Sequence, residues 1–444
     1  MSVLALASLI IVARCTTAEF GIDPSLTADG NSSGVVARLE DSAVLKRYID
    51  IERSRGDGNL VPGNGVDLLI DGEETYEAML QAIAAARDHV HLETYIIEND
   101  EVGNRIADAL IERRRAGVDV RMLYDSYGST DSDDFWRRLR DGGVDTHAFN
   151  PPKPTENLAV SEYDRRDHRK ILVVDGKVGF TGGINFYDAY ANRPDDGDEG
   201  GAKAALPWLG SDSSKLSWRD THIRIEGPAV AELQRIFVAR WEQEEEALDD
   251  SLLFPQLQPV GRERVRFDIG VGGNSRPSET YFAYLDIFEQ AQQRIWITQA
   301  YFVPNEEFLD TLAQAARRGV DVKVIVPGVT DVSSIVYASR QLYGSLLEAG
   351  VQIFEFQDAV LHAKTAVADG VWSIVGTSNL DSLSFLRNHE VDAVVIGRTF
   401  ATQMEQIFLD DLERTRQITL AEWRGRPLGY KILGYINSWF EPWL

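Results

Sequence analysis

The chain has 444 residues, 44% of them hydrophobic, with a formal net charge of −25 and a single cysteine, Cys15. This length favours two domains of roughly 200 residues, each long enough to bury a sizeable core. The negative charge argues against general nucleic-acid binding, because phosphate backbones are held by clustered Lys and Arg. One cysteine excludes an intramolecular disulfide. Any phosphate site must therefore be a local cationic pocket in an acidic protein.

Residues 1–59 are predicted to form an N-terminal extension. Its apolar run, Val3 to Ala13, is shorter than the about 20 apolar residues that span a membrane. The run fits the core of an export signal, although no Lys or Arg precedes it. Cys15 stands where a bacterial lipoprotein carries its lipidated cysteine, but Arg14 occupies the preceding position, where a small residue is expected. An export signal, a lipid anchor and an unstructured start all stay open.

An internal repeat organises the rest of the chain. Residues 91–125 and 295–328 both follow the order strand, helix, strand, and both helices end in basic residues and a Gly before Val-Asp-Val. Strands joined through a helix are typical of parallel sheets. We therefore predict an α/β protein with two copies of one domain, at residues 60–255 and 256–444. Each copy is predicted to be a mixed, largely parallel sheet flanked by helices.

Each copy carries the pattern His-x-Lys-x4-Asp-Gly, followed by small residues and an Asn. The spacings from His to Lys, to Asp and to Asn are 2, 7 and 17 residues in both copies. Chance does not explain so many matched positions. The candidate catalytic residues are His168, Lys170, Asp175, His362, Lys364 and Asp369.

A spacing of two on a strand places His and Lys side chains on the same face. Phosphoryl chemistry needs this pairing, because the oxygens of the attacked phosphorus carry negative charge that must be held in the transition state. Small residues let a phosphate approach backbone N–H groups, and an Asn amide adds a neutral donor. A packed turn would explain either copy alone, but two matched copies favour a phosphate site. The candidate binding residues are Gly183, Asn185, Ser378 and Asn379.

The acidic residues of the pattern have several possible roles. Asp175 and Asp369 are each followed by Gly, which predicts a hairpin turn and favours a structural role for both. An imidazole nucleophile must be neutral and oriented through its other nitrogen. Asp220 and Glu390 begin apolar strands, so they are candidate orienting acids, although ordinary strand-edge charges would look the same.

A metal mechanism is the main competitor for phosphate chemistry. Each motif offers one His and one Lys, and an ammonium group is no metal ligand. The sequence has no HExxH-type pair and no Cys cluster. We therefore expect a reaction that needs neither a metal nor another cofactor.

These motifs resemble the duplicated HKD motif of the phospholipase D superfamily, and the stretches around them resemble the bacterial cardiolipin synthases. The resemblance covers residues 60–425. It implies two pseudo-twofold related phospholipase D-like domains whose motifs meet in one active site. It also implies a covalent phosphohistidine, with His168 the nucleophile and His362 the acid. Both lysines and both Asn residues of the motifs would bind phosphate.

The resemblance implies a phosphatidyltransferase that joins two phosphatidylglycerol molecules, or phosphatidylglycerol and another phospholipid, into cardiolipin. A phosphodiesterase that hydrolyses phospholipids to phosphatidic acid is the alternative, because both reactions share the covalent intermediate. A nuclease is disfavoured by the negative charge, and a non-catalytic lipid-binding module would require a broken motif. The expected partners are a phospholipid and the membrane surface, with no nucleic acid. The oligomeric state stays open.

Membrane attachment is the least defined expectation. The usual pair of N-terminal transmembrane helices is missing, so we expect a protein of the bacterial cell membrane that is peripheral or anchored through its N-terminal segment. A long loop between Asn185 and Asp220 contains DDGDEGG and ALPWLG and is a candidate determinant of lipid choice. After Arg426, apolar residues recur at helical spacing and form either a core stripe or an interfacial anchor. They are Leu428, Ile432, Tyr435, Ile436, Trp439, Phe440 and Trp443.

Overall fold

In the computed structural model, the chain forms two compact units, residues 1–50 and 51–444. Four sequence features lie outside the described residues: the run Val3–Ala13, Cys15, the loop at 192–215 and the apolar stripe after Arg426. No helix in the described part of the chain is both long and apolar enough to cross a membrane. The structure describes residues 32–55, 59–151, 165–191, 216–243, 245, 248, 252–273, 276–330 and 332–426.

Helices and strands alternate along parts of the chain, and strands follow one another directly in other parts. The helices are α1 Ser32–Ser54, α2 Asp71–Ala85, α3 Glu101–Arg115, α4 Asp133–Asp141, α5 Asp188–Ala191, α6 Val230–Trp241, α7 Glu279–Gln290, α8 Glu306–Arg317, α9 Ser333–Ala349, α10 Ser382–Leu386, α11 Arg398–Glu413 and α12 Leu420–Gly425. The strands of the first half are β1 Val61–Ile70, β2 His89–Thr94, β3 Asp119–Asp125, β4 Asp145–Phe149, β5 Ile171–Val174, β6 Val178–Gly182, β7 Trp218–Arg219 and β8 Thr221–Glu226. Those of the second half are β9 Glu263–Gly270, β10 Arg294–Gln299, β11 Asp321–Pro327, β12 Gln352–Phe356, β13 Val360–Leu361, β14 Lys364–Ala368, β15 Trp372–Gly376, β16 Glu390–Ile396 and β17 Thr415–Ile418.

Fifteen of these strands form one mixed sheet in the order β17-β12-β11-β10-β14-β15-β16-β9-β1-β8-β6-β5-β2-β3-β4. Strands β1 and β9 pair antiparallel, and the strand order on one side of this junction repeats on the other. We call residues 60–255 the first half and residues 256–444 the second half. Within the sheet, the parallel pairs described are β2-β3-β4 and β10-β11-β12. The predicted α/β class and its internal repeat are confirmed.

The repeated helices α3 and α8 begin and end as their sequences predict. The Asp100 carboxylate accepts a hydrogen bond from the Gly103 N–H at 2.9 Å and caps α3. The Asn305 side chain accepts one from the Phe308 N–H at 3.0 Å and caps α8. Both helices are followed by a glycine with φ of 93°, a left-handed conformation that only glycine adopts without strain. The N-terminal caps and the glycines therefore define where each repeated helix begins and ends.

The core lies on both faces of the sheet, so the central strands are buried throughout. Strands β5, β14 and β15 have no residue exposed to solvent, as expected of strands covered on both faces. Strand β5 runs antiparallel to β2, and β14 runs antiparallel to β10. The residues that precede β5 and β14 therefore lie where the parallel strands end. His168 and His362 are at this edge of the sheet.

Candidate active site

Each motif folds as a β-hairpin, β5–β6 in the first half and β14–β15 in the second. The hairpins turn at Asp175–Gly176 and Asp369–Gly370, and all four residues have φ between 48° and 65°. The two carboxylates lie at the far end of the hairpins from the histidines and brace the starts of β2 and β10. They accept hydrogen bonds from the backbone N–H groups of Arg87, Asp88, His89, Gln292, Gln293 and Arg294. This placement fits the structural role that the Asp-Gly turns favoured.

His168, from the first half, is held by residues of the second half. Its Nδ1 lies 2.9 Å from Oε2 of Glu390, and its backbone N–H donates to the His389 carbonyl at 2.9 Å. The Thr377 hydroxyl donates to the same Glu390 oxygen at 2.5 Å. The Tyr95 ring packs edge-on against the imidazole, with 4.9 Å between centroids. Since Nδ1 is engaged, the Nε2 atom is left for chemistry.

His362, from the second half, is held by residues of the first half. Its Nδ1 lies 2.7 Å from Oδ2 of Asp220, and its backbone N–H donates to the Arg219 carbonyl at 2.8 Å. The short parallel pair of β7 and β13 brings these segments together. The sequence had named Asp220 and Glu390 without assigning their partners. In the structure, each histidine pairs with the acid of the other half, and we call this arrangement the crossed pairing.

Two buried lysines supply positive charge beside the histidines. Nζ of Lys170 donates to the His168 carbonyl at 2.7 Å. Nζ of Lys364 donates to the His362 carbonyl and lies 3.1 Å from Nδ1 of the same residue. Burial lowers the pKa of Lys170 to about 7, with Glu390 opposing the shift. An anionic phosphate would favour the charged form of such a lysine. Among the described residues, no group of three or more His, Cys, Asp or Glu side chains is placed to hold a metal ion.

The two histidine–acid pairs differ in their electrostatics. Burial, reinforced by both lysines, lowers the pKa of His168 well below its usual value. Burial raises the pKa of its partner Glu390 to about 7, against the opposing charge of Lys170. Burial alone would also raise the pKa of Asp220, but the charge and hydrogen bond of His362 lower it instead. His168 is thus neutral beside a carboxyl that titrates near neutrality, whereas Asp220 is ionised beside His362.

The candidate phosphate-binding residues are all buried. Asn185 accepts a hydrogen bond from the Ile96 N–H at 3.1 Å and donates to the Tyr190 hydroxyl at 3.0 Å. Ser378 donates its hydroxyl to Asp392. In both residues the side chain is engaged with protein groups, so their predicted phosphate contacts stay predictions.

Gly183 and Asn379 complete this group. A Cβ at Gly183 would lie 2.2 Å from Oδ1 of Asp220, so glycine lets the backbone pass close to that acid. Oδ1 of Asn379 is buried and has no hydrogen-bond partner among the described residues. An unpartnered buried amide oxygen costs free energy. Of the four residues, Asn379 therefore has the most evident unused capacity for a hydrogen bond.

Sequence reasoning missed the aromatic residues around the histidines. The rings of Trp218 and Tyr190 lie 5.0 Å and 5.7 Å from the His362 ring, and Tyr95 takes a similar place at His168. The positions of these residues in the sequence could have indicated them. Tyr95 directly follows β2, Tyr190 is five residues after the motif Asn, and Trp218 is two residues before Asp220.

A buried ionic network beneath His168 was also missed. Nε of Arg169 lies 2.9 Å from Glu93 and 3.1 Å from Asp167, and Nε of Arg240 lies 3.2 Å from Asp167. Beside His362, the matching positions are the apolar residues Leu361 and Ala363. The motif pattern hides this difference, because it treats the residue between His and Lys as variable.

Comparison with known proteins agrees with this geometry. The family described as "Cardiolipin synthase, PLD-like domain" matches residues 79–196 and 284–412. The cardiolipin synthase of Alkalihalophilus pseudofirmus is 35% identical over 380 residues, which cover 85% of this chain and 72% of that protein. The major cardiolipin synthase of Bacillus subtilis is 33% identical over 384 residues, covering 85% and 75%. A crystal structure of phosphatidylserine synthase from Haemophilus influenzae shares the fold, with a TM-score of 0.63, 13% identity and coverage of 90% and 100%.

Proposed function

Because this chain belongs to the cardiolipin synthase family with a phospholipase D-like domain, we propose that it joins two phosphatidylglycerol molecules, or phosphatidylglycerol and another phospholipid, through a covalent phosphohistidine. The observation that carries this proposal is the crossed pairing of His168 with Glu390 and His362 with Asp220. It leaves two Nε2 atoms and two lysine ammonium groups at one edge of the sheet. A phosphodiester between them has a nucleophile, an acid and positive charge within reach.

In the first step, Nε2 of His168 attacks the phosphorus of phosphatidylglycerol, and a P–N bond forms. The P–O bond to the headgroup glycerol breaks, and His362 gives its proton to the leaving oxygen. In the second step, His362 takes the proton from a hydroxyl of the second phospholipid, and that oxygen displaces His168. The P–N bond breaks and cardiolipin forms. Both histidines end as they began, so no further reactant is needed.

The electrostatics support this division of roles. A nucleophilic imidazole must be neutral, and burial beside two lysines lowers the pKa of His168. An imidazole that acts as an acid must be protonated, and the ionised Asp220 favours a proton on His362. The lysines would hold the non-bridging oxygens as negative charge grows on them. Each residue of the crossed pairs thus has a distinct task.

Products formed from phosphatidylglycerol vesicles test the proposal. Purified protein should convert phosphatidylglycerol into cardiolipin and free glycerol, which mass spectrometry resolves by mass. Protein with His168→Ala should form neither, which controls for contaminating activity. Phosphatidic acid without cardiolipin would contradict the transferase and support the hydrolase, in which water replaces the second lipid. Cleavage of plain DNA by small amounts of the protein would instead revive the nuclease.

A further inference from the structure

Tyr190 makes a contact with His362 that the reaction above does not use. The tyrosine lies in α5 and has no exposed surface. Its hydroxyl oxygen is 3.2 Å from Nδ1 of His362, and its ring meets the imidazole edge-on at 82°. The same hydroxyl accepts a hydrogen bond from the Asn185 amide, whose own oxygen accepts from the Ile96 N–H. A chain of polar contacts therefore runs from Ile96, two residues after β2 of the first half, to the imidazole of the second half.

The short helix that carries Tyr190 is fixed on two sides. The Asp188 N–H donates to the Asp100 carboxylate at 2.7 Å, and the Asp188 carboxylate accepts from the Val102 N–H at 2.9 Å. This exchange ties α5 to the start of α3. On the other side, a Cβ at Gly72 would lie 2.3 Å from the Tyr190 carbonyl oxygen, so α2 also closes on this residue. The hydroxyl is thus presented to His362 from a position set by packing.

The second half differs at the matching position. Five residues after Asn379 stands Ser384, whose hydroxyl accepts a hydrogen bond from the Asn379 N–H at 3.1 Å. A serine side chain is too short to reach the imidazole as Tyr190 does. A tyrosine ring lies beside each histidine, Tyr95 at His168 and Tyr190 at His362. Among the described residues, however, a tyrosine hydroxyl reaches an imidazole nitrogen only at His362, whose proposed task is proton transfer.

We propose that Tyr190 is a positioning residue that orients the His362 imidazole for proton transfer. This inference rests on the proposed role of His362 as the acid. Nδ1 is held by Asp220 and by the phenol together, which fixes the ring plane and directs Nε2 at the oxygen of the headgroup. Proton transfer depends steeply on this alignment. Attack by His168 does not use the His362 imidazole in the same way, so the phenol affects only steps in which a proton moves.

A pair of substrates separates these steps. Phosphatidylglycerol loses a glycerol alkoxide that needs a proton, whereas phosphatidyl-p-nitrophenol loses nitrophenolate, which is stable without one. For Tyr190→Phe we expect kcat on phosphatidylglycerol to fall about tenfold with KM nearly unchanged, since orientation rather than binding is lost. The first-turnover burst of nitrophenolate should keep its wild-type rate. Tyr343→Phe, which removes another buried tyrosine hydroxyl in α9, serves as the matched control and should change neither.

Each contrary outcome has a defined meaning. A nitrophenolate burst that slows as much as phosphatidylglycerol turnover would show a general structural defect, and unchanged kinetics on both substrates would show that the phenol is idle. Either result overturns the positioning role. If His362→Ala also loses the burst, His362 does not act as the acid. This outcome is distinguishable from a failure of the Tyr190 proposal alone, which concerns the Tyr190→Phe variant. A 15N spectrum of labelled histidine adds a direct readout, in which the His362 Nδ1 resonance should move in Tyr190→Phe and not in Tyr343→Phe.

Discussion

The two halves carry the same motif in different surroundings. His168 stands on the buried ionic network of Arg169, Asp167 and Arg240, and its acid, Glu390, has a pKa raised by burial. His362 is bordered by apolar residues and by Tyr190 and Trp218. Its acid is ionised. The comparison teaches that duplication supplies two equivalent imidazoles whose neighbours differ. In the proposed mechanism, these neighbours determine which step each imidazole performs.

The first-half network adds a second lesson. Despite its burial, the guanidinium groups of Arg169 and Arg240 lower the pKa of Asp167, and an isolated buried carboxylate would be costly. Burial raises the pKa of Glu93, which lies 2.9 Å from Nε of Arg169. Asp167, a member of this network, directly precedes His168 and forms an isolated β-bridge with His389. His168 therefore follows a buried polar network, whereas the matching positions beside His362 are the apolar residues Leu361 and Ala363.

The largest effect on activity is expected when either imidazole is removed. We expect His168→Ala and His362→Ala each to lower turnover by about 1000-fold or more, since each deletes a group that takes part in bond breaking. A phosphohistidine should accumulate only in the His362 variant, trapped from labelled phosphatidylglycerol by a denaturing quench at mildly alkaline pH, where the P–N bond survives, and by digestion. Accumulation in the His168 variant alone would exchange the two roles.

Replacing each acid by its amide compares the electrostatic contributions of Asp220 and Glu390 to turnover. Asp220→Asn removes an ionised carboxylate, so we expect kcat to fall about 100-fold. Glu390→Gln replaces a carboxyl that is already near half-protonation at neutral pH, so we expect a loss of only about tenfold. Steady-state kinetics of both variants on phosphatidylglycerol measure the ratio. Equal losses would show that the two pairs do not differ electrostatically.

The hairpin aspartates should behave alike in the two halves. Asp175→Ala and Asp369→Ala each leave three backbone N–H groups without their carboxylate. We expect each to lower the free energy of unfolding by about 2 kcal/mol, as measured by urea denaturation. Activity per folded molecule should stay within a few-fold of wild type. A loss as large as that of the histidine variants would make these aspartates participants in the reaction.

The smallest expected effect is a pH dependence of the free energy of unfolding that arises from Asp381, in the second half. Burial raises the pKa of Asp381 to about 7, above its value in the unfolded chain. The folded protein therefore holds this proton more tightly, and the stability it contributes is complete at low pH and is lost as the pH rises from about 4 through about 7. The Asp381 side chain accepts a hydrogen bond from the Ser384 N–H at 2.8 Å and caps α10. In Asp381→Asn the amide oxygen can keep this cap, but the side chain cannot titrate. Between about pH 5 and about pH 6, its unfolding free energy, measured by urea denaturation, should fall by about 1 kcal/mol less than that of wild type.

Much of the fold could be predicted because its determinants are local. Glycines after α3 and α8, Asp-Gly turns and apolar runs each act within a few residues. Their repetition identified two copies of one unit, and the hairpins that follow His168 and His362 lie where the motif predicted them. The antiparallel strands that complete each half are less evident, because neighbours in the sheet are far apart in sequence.

The crossing of the acids was beyond sequence reasoning. His168 and Glu390 are 222 residues apart, and His362 and Asp220 are 142 residues apart. Their pairing depends on how the two halves join along β1 and β9, which no local pattern encodes. Tyr190 was missed for a similar reason, since a buried tyrosine next to a motif is usually an ordinary core residue. Only its distance from His362 gives it a candidate role.

The crossed acids also constrain how this enzyme can change over time. A substitution at His168 removes the partner of an acid in the other half. The residues around the two pairs therefore cannot change independently in the two halves while the reaction is retained. The same arrangement makes each half incomplete as a catalyst. If the halves were encoded as two separate polypeptides, neither would carry a complete histidine–acid pair, and activity would return only on mixing, as a bimolecular complementation whose strength reports the edge-to-edge association of β1 with β9.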